Sequence, residues 1–224
     1  MGGTVVLNPD APRYNEIKPL FASAYHNEYF TGDADKMLEN SNNYLERSAI
    51  LNRNGAALAA LLQKEADDPS SPVTGVRYPP QNDTFENYKA LMRRPTPDFT
   101  PGYGCLLSVD FEDVESTIAY YDNLFFYCGP HLGAHHSLAM PFNAVVYGGD
   151  ENFKYHVAYG VREEQIRMSV GLEDEEELLD TVKFALQKAR EAKSAKAASA
   201  HGELEKEARK VITVAAEVSA NFEG

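Results

Sequence analysis

Between residues 165 and 172, Ile166, Met168, Val170 and Leu172 alternate with Gln165, Arg167, Ser169 and Gly171. A period of two belongs to a strand with one buried face. It places Arg167 and Ser169 together on the opposite, polar face. Asp174 and Glu177 follow at the spacing of a helix capping box, which predicts a helix over 175–190. The alternation recurs at 103–111, where Tyr103, Cys105, Leu107, Val109 and Phe111 share a face. Shorter apolar runs predict strands at 73–79 and 125–130, and a short strand entering a turn over 2–10. Helical spacing predicts helices at 14–26, at 41–66 through Leu51, Leu58, Leu61 and Leu62, and at 113–124. The last has Asp113 as its cap and Val114, Ile118 and Tyr121 on its inner side. Gly55 inside the long helix costs about 1 kcal/mol relative to alanine; a turn at Asn54-Gly55 that splits the segment is the alternative.

The run "DDPSSP" at 67–72 is a linker. Three regions follow from it: 1–66, 67–190 and 191–224. After the linker, strands and helices alternate, which predicts a small α/β or α+β sheet covered by helices. Its expected core includes Leu107, Val109, Ile118, Val170 and Leu178. The last region opens on "EAKSAKAASAHG", low in complexity and weakly helical. Leu204, Ala208, Val211, Ala215 and Val218 then share a helical face. Docking of that face on its own domain is the simpler reading and a subunit contact the other.

Composition narrows the function. The 224 residues carry a formal charge of −13, which argues against a general basic surface for nucleic acid or anionic membrane. No apolar run approaches the ~18 residues that span a bilayer. The first residues show no basic-then-apolar leader, and Val6 stands where a myristoylation site needs Ser or Thr. Cys105 and Cys128 are the two cysteines, unclustered, as in a reducing compartment. These features predict a cytoplasmic protein.

Several familiar chemistries find no pattern. His131, His135 and His136 match no standard metal spacing. The glycines of "CGPHLGAHH" can form a backbone anion nest, but neither a dinucleotide fingerprint nor a Walker sequence occurs. No serine sits in a G-x-S-x-G elbow. Cys105 lies on the apolar face of its strand, as a core thiol does. Arg167 remains. On a strand beside a glycine-rich loop, a guanidinium is either solvated or a bidentate clamp for a small carboxylate. Arg190, near the tail, reads as an ordinary surface arginine.

The motifs carry a resemblance. "QIRMSVGLEDEEELLDTVKFAL" (165–186) resembles the ending of the Cys/Met-metabolism family of pyridoxal-phosphate-dependent enzymes, R-[LV]-S-V-G-[LI]-E-D and a helix. "PGYGCLLSVDF" (101–111) is similar to its G-[YF]-G-G-L-L-S strand, with Cys105 where glycine is usual. "GPHLGAHHSL" (129–138) resembles its S-L-G segment, and the Gly129-Pro130 before it is similar to fungal cystathionine γ-synthases. "GGTVVLNPD" (2–10) and "ERSAILNRNGAALAALL" (46–62) resemble the segments that join the cofactor domain to the C-terminal domain.

The resemblance implies the C-terminal part of a fold-type I transferase. Residues 1–66 would be the last strand and linker helix of the cofactor domain, 67–190 a small α/β domain with a mostly antiparallel sheet covered by helices, and 191–224 a helical extension. It implies that Arg167 grips the α-carboxylate of an amino-acid substrate, with Leu132 beside it. His131 replaces the family's serine; an imidazole still donates a hydrogen bond but is larger. Pyridoxal 5'-phosphate is the cofactor by family. The lysine that binds it precedes the Gly2-Gly3 strand in the family, so no attachment site is expected in this chain, and Lys18 and Lys36 lie on the wrong side to substitute. The expected activity is γ-replacement on an O-acylhomoserine by cysteine. This chain is then a truncated or split half, inactive alone. The alternatives are a dead module that assembles with a full-length relative or with its own copies, and a sister activity such as cystathionine γ-lyase or a sulfhydrylase.

Overall fold

The computed structural model describes residues 5–26, 28–149, 151 and 153–222, with side chains except at 153 and from 201 onward. The chain forms two compact units, 1–46 and 47–224. In the first, α1 (Tyr14–Ala24) answers the helix expected over 14–26. A second helix, α2 (Thr31–Asn40), was not expected. It carries Ala34, Met37 and Leu38 at helical spacing but buries no residue.

The strand expected over 2–10 is corrected where it is described. Residues 2–4 lie outside the described residues, and 5–8 form no strand. The turn expected at the end of this segment is present at Asn8: its side-chain oxygen accepts from the Asp10 N–H at 2.9 Å, and its carbonyl accepts from the Ala11 N–H at 3.2 Å. This is the Asx-turn habit of asparagine.

The second unit is built on a five-stranded sheet of order β1-β2-β5-β4-β3. The strands are β1 (Val73–Arg77), β2 (Leu106–Phe111), β3 (Tyr127–Cys128), β4 (Leu138–Met140) and β5 (Gln165–Ser169). The β3–β4 pair is parallel and the others are antiparallel. In β2 and β5 the alternation predicts the faces correctly. Leu107, Val109, Phe111, Ile166, Met168 and Val170 are buried, with Ala139 of β4. Burying one such large aliphatic or aromatic side chain contributes roughly 1.5–3 kcal/mol.

Two helices close that face. Helix α3 (Tyr44–Ala66) contributes Leu58, Ala59 and Leu62. Helix α8 (Glu175–Phe222) contributes Leu178, Val182, Ala185, Leu186 and Ala189. Asp174 caps α8, its carboxylate accepting from the Glu176 and Glu177 N–H groups at 2.9 and 3.4 Å. The helix continues past residue 191 without a break, so the low-complexity stretch is fully helical; the apolar face expected from Leu204 to Val218 lies outside the described side chains.

Gly55 does not split α3. A Cβ there would stand 2.6 Å from the Gly104 carbonyl oxygen and 3.1 Å from the Cys105 Cα. The glycine lets the helix approach the strand backbone. Asn52 completes the joint by accepting from the Gly104 N–H at 2.9 Å.

Helix α5 (Val114–Asp122) begins at Asp113 as expected, whose carboxylate accepts from the Ser116 N–H. Its inner face is a correction. Val114 is 42% and Ile118 52% exposed, whereas Ser116, Thr117 and Tyr120 are buried. Tyr120 decides the rotation. Its ring packs 4.9 Å from Phe111 and its hydroxyl donates to the Met168 sulfur at 3.4 Å. A large aromatic with a reachable acceptor outweighs two aliphatics. Three more short helices decorate the unit: α4 (Phe85–Leu91), α6 (Phe142–Tyr147) and α7 (Phe153–Val157).

Candidate functional site

The sheet's second face is polar. Its pairing aligns Arg77, Ser108, Arg167 and Met140 in one row across β1, β2, β5 and β4. Beside that row, the nearly buried Asp110 carboxylate accepts from Arg77 at 2.9 Å and from Gln165 at 2.7 Å. Arg77 is therefore already engaged by a carboxylate of its own chain. Arg167 is not.

The Arg167 Nη2 donates to the Pro130 carbonyl at 2.8 Å. The guanidinium carbon sits 4.2 Å from the centroid of the Phe142 ring, a cation–π contact. Among the described residues, Pro130 is the one hydrogen-bond partner of this side chain. The half-buried side chain thus has its guanidinium over an aromatic ring and one corner pinned to the loop. Its remaining N–H donors fit a carboxylate. Ser169 lies on the same face of the strand but is buried.

The sequence expected Arg167, His131 and Leu132 in one place. The Pro130 contact puts the guanidinium at the residue before His131. The Leu132 side chain is 64% exposed. His131 accepts at Nδ1 from the Gly133 N–H at 3.2 Å. With Nδ1 accepting, Nε2 is the ring nitrogen left to donate. Cys105 is buried, and burial pushes its thiol up, with the Ser169 hydroxyl opposing. Such a thiol is a poor nucleophile.

Sequence reasoning missed Phe142. It assigned the "MPF" step at 140–142 no element and no role. It also gave no role to Asn54, Ser137 and Glu173, which tie the loop down. A cleft of about 550 Å³ lies elsewhere, among Asn52, Tyr88, Phe99 and Gly102, and does not include Arg167.

No protein-family model matches the chain. A cystathionine gamma-synthase-like protein of Aspergillus thermomutatus is 33% identical over 186 residues, covering 83% of this chain and 31% of that protein. The cystathionine gamma-synthase of Neurospora crassa is 32% identical over 191 residues, covering 85% and 29%. The homologues of this chain are cystathionine gamma-synthase-like enzymes. It spans about a third of the length of the curated relatives it matches. The fold agrees. A putative O-acetylhomoserine (thiol)-lyase of Campylobacter jejuni, solved with a pyridoxyl-lysine, superposes with a TM-score of 0.59 at 20% identity, covering 80% of this chain and 40% of that one. The chain has the fold of a portion of a fold-type I pyridoxal-phosphate enzyme.

Homology implies pyridoxal phosphate, and the residues around Arg167 can be tested for it. The cofactor needs an amine to carry it. Pro130 and Phe142 touch the guanidinium and Ser108 and Met140 pair with Arg167 across the strands, and none of them has one. Lys193 and Lys196 are committed to Glu112, Asp113 and Glu115. Among these residues none offers the cofactor an amine, and the free donors of Arg167 suit an anion.

Proposed function

We propose that this stretch supplies the substrate-carboxylate grip of a cystathionine gamma-synthase-like transsulfuration enzyme. The reaction is γ-replacement on an O-acylhomoserine by cysteine, for which pyridoxal phosphate is the electron sink when bound. The observation that carries the reading is the Arg167 guanidinium, stacked on Phe142 and pinned by Pro130 with donors to spare. Arg167 takes the α-carboxylate as a fork. The Leu132 backbone closes one side, and the His131 Nε2–H donates from the loop. On this reading residues 1–66 end the cofactor domain, 67–190 form the small domain, and 191–224 extend it.

A second reading is an assembly module that pairs with a cofactor-bearing relative. Among the described residues no lysine contacts the Arg167 side chain, which favours this reading for these residues taken alone. Adding pyridoxal phosphate to the chain and reducing with borohydride tests the premise the two readings share. Neither expects a stoichiometric pyridoxyl group on any one lysine, and finding one overturns that premise.

The grip itself is tested by titrating the full chain with L-homoserine and with its methyl ester. The acid is expected to shift resonances of Arg167 and of residues 130–133, and the ester to do so far more weakly. Equal responses would remove the carboxylate from the argument.

A further inference from the structure

We propose that Ser137 and Glu173 are positioning residues that hold the 129–137 loop against Arg167. The inference rests on the carboxylate-grip reading only for its functional meaning; the latch itself is a matter of geometry.

Ser137 is buried, and every polar atom it has is used. Its N–H donates to Glu173 Oε1. Its hydroxyl lies 3.0 Å from Glu173 Oε2 and 2.9 Å from the Gly171 nitrogen. The Gly171 N–H can only donate, so the hydroxyl accepts from it and must give its own proton to the carboxylate. The result is a directed chain, Gly171 N–H to Ser137 O–H to Glu173. The Ser137 carbonyl accepts from the Tyr127 N–H at 3.0 Å, and the Gly129 N–H donates to the Ala139 carbonyl at 3.2 Å. The loop is thereby tied across its base, immediately before Pro130.

The other end of the latch is equally fixed. The Asn54 side-chain amide donates to the carbonyls of Gly171 and Glu173 at 3.1 and 2.9 Å. The Leu172 N–H donates to the His135 carbonyl at 2.9 Å. A Cβ on Gly171 would lie 2.6 Å from that same carbonyl oxygen, so the backbones meet with no room for a side chain. Helix α3 is thus tied to the 171–173 backbone, and the loop is tied to the same stretch through the Glu173 carboxylate. None of these groups reaches Arg167. They act by fixing where the Pro130 carbonyl stands.

The test is the guanidinium spectrum of the full chain by nitrogen NMR. In the native chain the Arg167 Nη groups should rotate slowly and give separate signals, because one of them is held by Pro130. Arg190, held by Glu65 and Asp68, is an internal control. Ser137→Ala and Glu173→Ala are expected to average the Arg167 signals and leave those of Arg190 split. They should also weaken L-homoserine binding by about tenfold or more, as small misplacements of a binding group do. Should both alanine variants lose the Arg190 signals too, the fold has gone and Glu173→Gln decides. Glutamine keeps the size and the acceptor for the Ser137 N–H but leaves the hydroxyl proton without its carboxylate, so broadened Arg167 signals beside unchanged Arg190 signals support the latch. Arg167 signals that stay split in the folded variants overturn it. If the native Arg167 signals ignore L-homoserine yet collapse in Ser137→Ala, the carboxylate reading fails and the latch stands.

Discussion

Arg190 on α8 donates to the Asp68 carboxylate at 2.7 Å, and to Glu65 through Nε at 3.1 Å and Nη2 at 2.7 Å. A third group, the Ser70 hydroxyl, lies 3.0 Å from its Nη1. The sequence read this arginine as an ordinary surface residue. It instead fastens α8 to the 65–70 turn. The Arg190 guanidinium, helped by the Ser70 hydroxyl and N–H, holds the Asp68 carboxyl down at about 2. An unfolded aspartate titrates near ~3.9. A depressed folded value gives stability that is present above about pH 4 and lost as pH falls toward about 2. Thermal melts at those two pH values should show a larger drop in Tm for the native chain than for Arg190→Ala. Because the cluster is exposed, added salt should shrink the difference. Equal drops would remove this ion pair from the acid limb. Arg190→Lys should lower Tm even at neutral pH, since a single ammonium cannot replace the fork.

Gly55→Ala tests the contact of α3 with the 104–105 backbone. Helix propensity alone favours alanine by about 1 kcal/mol. The Cβ would meet backbone at 2.6 Å, which cannot move aside as a side chain does. Overpacking of this kind costs roughly 1–3 kcal/mol, so urea unfolding should show net destabilisation. Gly133, where a Cβ meets nothing within 4 Å, is the matched substitution and should be near neutral. Stabilisation by Gly55→Ala would mean that the helix does not approach so closely.

The rotation of α5 gives a contrast in one helix. Ile118→Ser should change stability by less than about 0.5 kcal/mol, as surface changes do. Tyr120→Ala should cost about 3–5 kcal/mol, the usual range for a buried aromatic. Chemical denaturation of both variants checks the order, and the reverse order would restore the face expected from the apolar spacing.

That contrast also marks what the sequence could and could not tell. In β2 and β5 the two-residue period named the buried side chains correctly, because the sheet has one dry face and one polar face and a slip of one residue would invert both. In α5 the apolar positions 114 and 118 pointed outward. Tyr120 and two small hydroxyl residues took the core side, and hydropathy cannot weigh a tyrosine hydroxyl that finds a sulfur. Arg167 was legible through its motif and its strand face. Phe142, Ser137, Glu173 and Asn54 were not, since their roles depend on partners 25 to 119 residues away that only the folded chain brings together. Strand β4 escaped for a related reason. At three residues it has no period to read, and it exists because β5 offers it an edge.

Arg167→Lys is the sharpest test of the site. Lysine keeps the charge but has neither the planar face that lies on Phe142 nor a fork for a carboxylate. Hydrogen bonds to charged groups contribute about 1.5–3 kcal/mol, so losing one should weaken L-homoserine binding to the full chain roughly tenfold or more. Arg94→Lys is the control, an exposed arginine in the 92–100 loop. Phe142→Leu separates the two contributions. It removes the stacked ring and leaves the fork, and its expected loss is smaller, since cation–π contacts at partly exposed sites contribute about 0.5–1 kcal/mol. Isothermal titration of the three variants against the native chain gives the ranking. If Arg167→Lys binds as well as Arg94→Lys, the guanidinium serves only to brace the loop through Pro130, and the carboxylate must be sought elsewhere on the polar face.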